Sequence, residues 1–145
     1  MLAMADIDPE ALRGPTVFAS LSIEQLTKLI EAAEVNEYGA GAALTEEGVL
    51  GHRFQLILEG AAVVERGGEK VAEIGPGDFV GEIGLLGGGA STASVRCTKP
   101  TRCLTLRRED FWAVLEEEPA IALRILEVVC RRLEQELRGN PRANL

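Results

Sequence analysis

The sequence predicts a mainly β domain, a sandwich, jelly roll or barrel of about eight short strands with flanking helices. Sixteen glycines in 145 residues are a surplus that indicates many tight turns. From Val35 to about Leu106, short β-favouring segments alternate with Gly, Pro and Asp, whereas helical periodicity marks the chain on either side. A chain of this length is sufficient for one domain with its own core.

The N-terminal part begins without periodicity and then becomes helical. Residues 1–15 are predicted to be a loose lead-in with at most one short helical turn. Ser22 and Gln25 have the spacing of a capping box, in which each side chain bonds the other residue's backbone N–H. Because apolar residues follow at helical spacing, we expect a helix from about 22 to 34.

The central part shows the two-residue period of strands. In residues 53–58, Phe54, Leu56 and Leu58 alternate with their neighbours, which predicts a strand with one buried face. The segments 63–65 and 71–74 flank Gly67-Gly68 and are predicted to form a hairpin.

Two helices are predicted to close the chain. The first runs from Glu109 to about Glu117 and is ended by Pro119, which also suits the first turn of the second helix. Gly139 is the expected stop of that second helix. The predicted domain therefore covers 16–138, with a frayed tail at 139–145. The apolar stripe of the second helix comprises Ile121, Ile125, Val128, Val129, Leu133 and Leu137.

The charge balance argues against several partners. The net charge is −8 and the pI is about 4.8. Such a surface repels nucleic-acid backbones and acidic lipid headgroups, so neither nucleic acid nor membrane is an expected partner. Because no apolar run has the length of a membrane span and no secretory leader is recognisable, we expect a cytoplasmic location.

The residues that catalysis requires are scarce. His52 is the only histidine, and beside Gly51 it is interpreted as a solvated turn residue. The metal sites of small barrels need several histidines, and nucleophilic triads fail for the same shortage. We therefore expect neither an enzyme nor a cofactor. The three cysteines form no C-x-x-C pair and are interpreted as buried, reduced thiols: Cys97, Cys103 and Cys130.

One stretch, Phe79 to Arg96, has an unusual pattern for a barrel. Gly81 precedes a segment, Glu82 to Leu86, that fits only one or two helical turns before a run of three glycines stops it. Backbone N–H groups at the start of such a helix converge and carry partial positive charge, which is the geometry of an anion site. The alternative is that Glu82 is simply a good first-turn residue and that the glycines only connect two strands.

The letters F-V-G-E-I-G-L-L and S-T-A-S-V in this stretch resemble the phosphate-binding cassette of the cyclic-nucleotide-binding domain family. That family includes catabolite activator proteins, protein kinase A regulatory subunits and cyclic-nucleotide-gated channels. The resemblance extends over nearly the whole chain, including 74–79 and 108–111. It implies a double-stranded β-helix (jelly-roll) barrel with one N-terminal helix, a short cassette helix and two C-terminal helices.

The resemblance also implies a ligand, cAMP or cGMP, and a role for each cassette residue. Glu82 would accept a hydrogen bond from the ribose 2′-hydroxyl. Backbone N–H groups would face the cyclic phosphate, the Thr92 hydroxyl would add a contact, and Leu133 or Leu137 would cap the purine. The implied ligand-binding residues are Gly81, Glu82, Ile83, Gly84, Ser91, Thr92 and Ala93.

The sequence departs from the family pattern at Ser91, where the family has an arginine that neutralises the cyclic phosphate. Serine carries no charge, so the bidentate contact is lost, at a cost of about 2–4 kcal/mol, or roughly 30- to 1,000-fold in affinity. Arg96 should point to the opposite face of its strand from Ser91. Arg53 is another cation, which the sequence does not place.

Two functions follow from this pattern. The first is a sensor or regulatory module that binds cAMP or cGMP with reduced affinity and passes the signal to a protein partner, or to a second copy, through the C-terminal helix. The alternative is a degenerate cyclic-nucleotide-binding fold that no longer binds nucleotide and serves as a scaffold or protein-interaction module. The sequence leaves open the base, the partner, the oligomeric state and whether a longer parent protein was trimmed.

Overall fold

The computed structural model describes residues 7–14 and 16–139, whose eight strands form two four-stranded antiparallel sheets. The strands are β1 (Glu34–Tyr38), β2 (Ala43–Thr45), β3 (Arg53–Glu59), β4 (Ala62–Arg66), β5 (Glu69–Ile74), β6 (Phe79–Val80), β7 (Ser94–Cys97) and β8 (Thr101–Arg107). The first sheet has the order β1-β8-β3-β6 and the second β2-β7-β4-β5. This arrangement confirms the predicted jelly-roll class.

The helices flank these sheets as predicted, with small differences at their ends. They are a 3-10 turn (Pro9–Leu12), α1 (Ile23–Ala32), α2 (Glu82–Gly87), α3 (Arg108–Glu117) and α4 (Pro119–Gly139). The capping box starts α1, since the Gln25 backbone N–H donates to Ser22 Oγ (3.1 Å) and the Ser22 N–H donates to Gln25 Oε1 (2.9 Å). α1 ends two residues before the predicted 34, because β1 already begins at Glu34.

The prediction of one buried face for residues 53–58 was wrong. In β3, Phe54 and Leu56 are buried on one side and Gln55 and Ile57 on the other. Helices cover the first side and the second sheet covers the other. Buried Gln55 stays satisfied because its Nε2 donates to the Leu44 carbonyl and its Oε1 accepts from the Tyr38 hydroxyl.

The core therefore has two parts. One lies between the first sheet and the helices and contains a set of four phenylalanines: Phe18, Phe54, Phe79 and Phe111. The Phe54 ring stacks on Phe79 and on Phe111, with centroids 5.5 and 4.8 Å apart. The other part lies between the two sheets and is lined by Leu44, Ile57, Ala62, Val80, Val95, Cys97 and Cys103.

The expectation of three buried thiols was correct for two. Cys97 and Cys103 are buried between the sheets, and burial raises the pKa of the Cys103 thiol to about 12. Cys130 is exposed, because α4 turns that position away from the face that carries buried Ile121 and Ile125.

The outer boundaries of the domain stay a prediction. The short turn expected within residues 1–15 is present as Pro9–Leu12, and Leu12 lies fully buried in the main core. Residues 1–6, 15 and 140–145 lie outside the described residues, so all of the predicted tail except Gly139 does as well.

Candidate functional site

The cassette begins at a corner that only glycine fits. Gly81 has φ +94°, and a Cβ at this position would lie 2.1 Å from the Arg53 carbonyl oxygen. The chain can therefore turn directly from β6 into α2 against the start of β3. Gly88, with φ +71°, ends α2 by donating its N–H to the Gly84 carbonyl. The short helix between two glycines that the sequence predicted is present.

Three small residues bring the two halves of the cassette together. A Cβ on Gly51 would lie 3.2 Å from Ser91 Oγ and 3.6 Å from the Gly84 Cα. Ser91 is held there by two backbone bonds, its N–H to the Val49 carbonyl and its carbonyl to the Gly48 N–H. We call Gly51, Gly84 and Ser91 the small-residue cradle.

The remaining predicted residues are close neighbours of Gly84 and Ser91 in sequence. Ile83 belongs to α2, Ala93 is buried beside β7, and Thr92 is exposed. The structure thus places all seven predicted positions in one region.

Glu82 is the buried charged group of the cassette, with only 5% of its side chain exposed. Arg132 of α4 reaches it, with Nη1 3.5 Å from Glu82 Oε2. The same guanidinium donates from Nη2 to the Phe79 carbonyl at 2.9 Å and lies 4.5 Å above the Phe79 ring centroid. A cation from the last helix therefore already contacts the carboxylate predicted to bind a sugar hydroxyl.

Arg132 was not identified as a site residue from the sequence, although a signal existed. It follows Ile121, Ile125 and Val128 on the barrel-facing side of α4, so a charged residue interrupts an apolar stripe. A cation at such a position needs an anion or carbonyls on the surface that it faces.

Burial raises the pKa of the Glu82 carboxyl above its ordinary 4.5, whereas Arg132 and the residue's own backbone N–H act in the opposite direction. A raised native pKa stabilises the fold below the unfolded-state pKa, and this contribution is lost as pH rises through the native value. Relative to Glu82→Gln, the wild-type free energy of unfolding should therefore fall between about pH 4 and pH 7. Urea denaturation of both proteins at the two pH values measures this difference. If the wild-type free energy of unfolding instead rises with pH relative to that of Glu82→Gln, Arg132 lowers the pKa of Glu82 by more than burial raises it.

A second arginine lies at the other end of the cassette. Arg66, the last residue of β4, donates from Nε to the Thr92 carbonyl at 2.8 Å and forms an ion pair with Glu136 of α4. α4 is therefore held over the cassette by two arginine–carboxylate pairs, Arg66–Glu136 and Arg132–Glu82.

The two cations considered from the sequence lie elsewhere. Arg96 is exposed and donates to the Gly41 carbonyl at 3.2 Å. Arg53 is exposed and contributes its carbonyl to the corner at Gly81.

The residues suggested as a purine cap do not cover the cassette in this conformation. Leu133 is 55% exposed, and Leu137 is half-buried. Arg132 and Glu136 occupy the side of α4 that faces the cassette.

Two surface hollows occur away from the cassette. One lies between α1 and α3 and the other beside the Pro9–Leu12 turn, and neither is lined by a cassette residue. Among residues 7–14 and 16–139, no group of side chains is suited to hold a metal ion, and His52 is exposed. Within the same residues, none of the helices is long and apolar enough to cross a membrane.

The curated proteins similar to this chain include two that are named for cyclic AMP. The cyclic AMP receptor protein of Thermus thermophilus is 29% identical over 86% of this chain and 60% of its own length. The cAMP-dependent protein kinase regulatory subunit of Hypocrea atroviridis is 32% identical over 68% of this chain and 21% of its own. The chain thus spans at most 60% of the length of either curated relative.

One solved structure is similar to this chain over nearly the full length of the solved protein. A putative cyclic nucleotide-binding protein from Geobacter metallireducens matches 90% of this chain and 98% of its own, with 27% identity and a TM-score of 0.72. The sequence model of the cyclic nucleotide-binding domain matches residues 35–118, more than half of the chain. The fold, the cassette and these matches together place the chain in the cyclic nucleotide-binding domain family.

Proposed function

We propose that the chain is a regulatory module, not an enzyme, that binds cAMP or cGMP at the cassette. The observation that carries this proposal is the buried Glu82 carboxylate next to the small-residue cradle. An ionised carboxylate has about four acceptor sites. With Arg132 at 3.5 Å and its own N–H as partners, Glu82 retains acceptor capacity for a sugar hydroxyl.

The cradle supports the phosphate end of the same ligand. Gly51 and Gly84 have no side chains and closely approach each other, so the group beside Ser91 Oγ is the Gly51 backbone. Relatives of this chain are named for cAMP, which supports a cyclic nucleotide as the ligand class.

A ligand that enters the cassette acts directly on the contacts of α4. Arg132 contacts Glu82 and the Phe79 carbonyl, so a nucleotide sugar must share or displace these contacts. Movement of α4 is then the output of binding. A ligand shifts the equilibrium between two conformations when it binds one of them more tightly than the other.

Titration calorimetry with cAMP, cGMP and 2′-deoxy-cAMP tests the proposal. The wild type should bind the two ribose nucleotides, and Glu82→Gln should weaken cAMP about 10- to 100-fold because a charged acceptor is lost. Binding of 2′-deoxy-cAMP should change little on that substitution. Glu31→Gln, an exposed carboxylate on α1, is the matched control. If Glu82→Gln weakened the binding of cAMP and of 2′-deoxy-cAMP equally, Glu82 would have no role in recognising the sugar 2′-hydroxyl.

A second candidate is a scaffold that has lost nucleotide binding. Ser91 in place of an arginine and the contact of Arg132 with Glu82 both favour it. A folded wild-type protein that gives neither heat nor a thermal shift at about millimolar cAMP and cGMP would select this candidate.

We propose a second copy of the chain as the partner of α4. Its outward side carries an apolar stripe with alternating spacings of three and four, as in two-stranded helix pairs. Three of its leucines are 55–65% exposed. The outward stripe comprises Leu123, Leu126, Cys130, Leu133 and Leu137.

Cys130 allows a direct test because it lies at the centre of the outward stripe. Two α4 helices paired in either direction about this centre would bring the two Cys130 thiols together. Mild oxidation should therefore give a covalent dimer, and light scattering should show a dimer mass that Leu126→Glu with Leu133→Glu reduces to the monomer. Cys130→Ser should abolish the cross-link and keep the dimer. A monomeric wild type at about 100 μM would refute this interface.

A further inference from the structure

An anionic ligand at the cassette would need a positive charge that the cassette itself does not supply. The chain carries a net charge of −8, Glu82 lies within the cassette, and Ser91 is neutral. A phosphate buried beside a carboxylate without a cation is strongly unfavourable. The cation must come from another element of the fold.

Arg66 is the arginine whose position fits this requirement. β4 pairs with β7 so that Glu65 lies opposite Ser94, which brings the end of β4 beside the second half of the cassette. From there Arg66 Nε donates to the carbonyl of Thr92, the residue directly after Ser91. The guanidinium is partly buried, with 35% of the side chain exposed, which limits the screening of its charge.

The other arginines near the cassette already have different partners. Arg132 binds Glu82 and the Phe79 carbonyl at the opposite end. Arg108 donates to the Leu85 and Gly51 carbonyls at 3.2 and 3.4 Å. Neither is anchored to the Ser91–Ala93 segment.

The present partner of Arg66 is itself an anion, the carboxylate of Glu136 on α4. We propose, building on the function proposed above, that Arg66 binds the ligand's phosphate in place of the arginine absent at Ser91, and that Glu136 holds this guanidinium until the phosphate arrives. Arg66 then acts as the cation of the binding site, and Glu136 acts as its competing internal anion.

This exchange couples binding to α4. Transfer of Arg66 from Glu136 to a phosphate removes one of the two arginine–carboxylate pairs that hold the helix over the cassette. Removing the competing carboxylate should therefore favour the ligand-bound arrangement.

Calorimetric titration with cAMP and with adenosine, which has the ribose but no phosphate, tests this assignment. Arg66→Gln should weaken cAMP about 10- to 100-fold, as expected for losing a charged hydrogen bond. Adenosine should change by less than about twofold, because it carries no charge. Glu136→Gln should tighten cAMP by about threefold or more. Arg96→Gln, on the neighbouring strand, is the control and should match the wild type.

The outcomes separate this inference from the proposed function. A wild type that binds no cAMP overturns both. A wild type that binds cAMP, with Arg66→Gln binding equally well or losing cAMP and adenosine to the same extent, overturns the role of Arg66 alone. If Arg66→Gln fails to fold, Glu136→Gln decides: tighter cAMP binding supports the exchange, and unchanged or weaker binding overturns it.

Discussion

Ser91→Arg is expected to tighten cAMP binding by about ten- to a thousandfold, because a guanidinium contacts a phosphate through two charge-assisted hydrogen bonds. Ser91 Oγ lies beside Gly51, which itself closely approaches Gly84, so the longer side chain must pass along backbone rather than along other side chains. Titration calorimetry of the variant against the wild type measures the change. The gain should shrink as salt is raised, since the new contact is ionic.

Ser91→Gln is the control for this substitution, because it adds length and hydrogen-bonding capacity without charge. We expect its affinity for cAMP to remain within about threefold of the wild type. If Ser91→Arg is folded and binds cAMP no better than Ser91→Gln, the phosphate does not lie beside Ser91. The small-residue cradle would then not be the phosphate end of the site.

Gly81→Ala should strongly destabilise the fold at the corner where the cassette begins. A Cβ there lies 2.1 Å from the Arg53 carbonyl oxygen, and the backbone has φ +94°. The left-handed conformation alone costs about 1–2 kcal/mol, and the overlap forces the corner to move, so we expect a loss of about 3 kcal/mol or more. Urea unfolding followed by circular dichroism measures it.

Gly88→Ala provides the comparison at the other end of α2. Gly88 also has a positive φ, +71°, but a Cβ there meets nothing within 4 Å. Only the conformational cost remains, so we expect about 1–2 kcal/mol. Equal losses at the two glycines would mean that the corner at Gly81 relaxes freely and that its close contact with β3 has no energetic weight.

Much of the fold could be predicted from local pattern. The Ser22–Gln25 capping box, the hairpin around Gly67-Gly68 and the break at Pro119 depend on neighbours in sequence, and all three were confirmed. The burial of both faces of β3 could not be predicted in this way. From sequence alone, Gln55 is a polar residue expected to face solvent. It is buried because Tyr38 and Leu44, which are distant in sequence, form hydrogen bonds with its side chain.

Only the part of the candidate site that lies in one local stretch of sequence could be predicted. Its seven residues lie within one continuous stretch, so their letters alone indicated them. Arg66 and Arg132 reach this stretch from β4 and α4, across 26 and 50 residues of chain. The sequence showed that Arg132 interrupts an apolar stripe, but not which group it contacts, and the contacts of both arginines became visible only in the structure.

We expect the segments Gly81–Gly84 and Ser91–Ala93 to bind a cyclic nucleotide together. Amide NMR spectra of the isotope-labelled wild type, recorded during titration with cAMP, test it most directly. We expect chemical-shift changes centred on these two segments, with further changes in α4 near Arg132. Spectra that stay unchanged at about millimolar cAMP, or that change only around the hollow between α1 and α3, would contradict it.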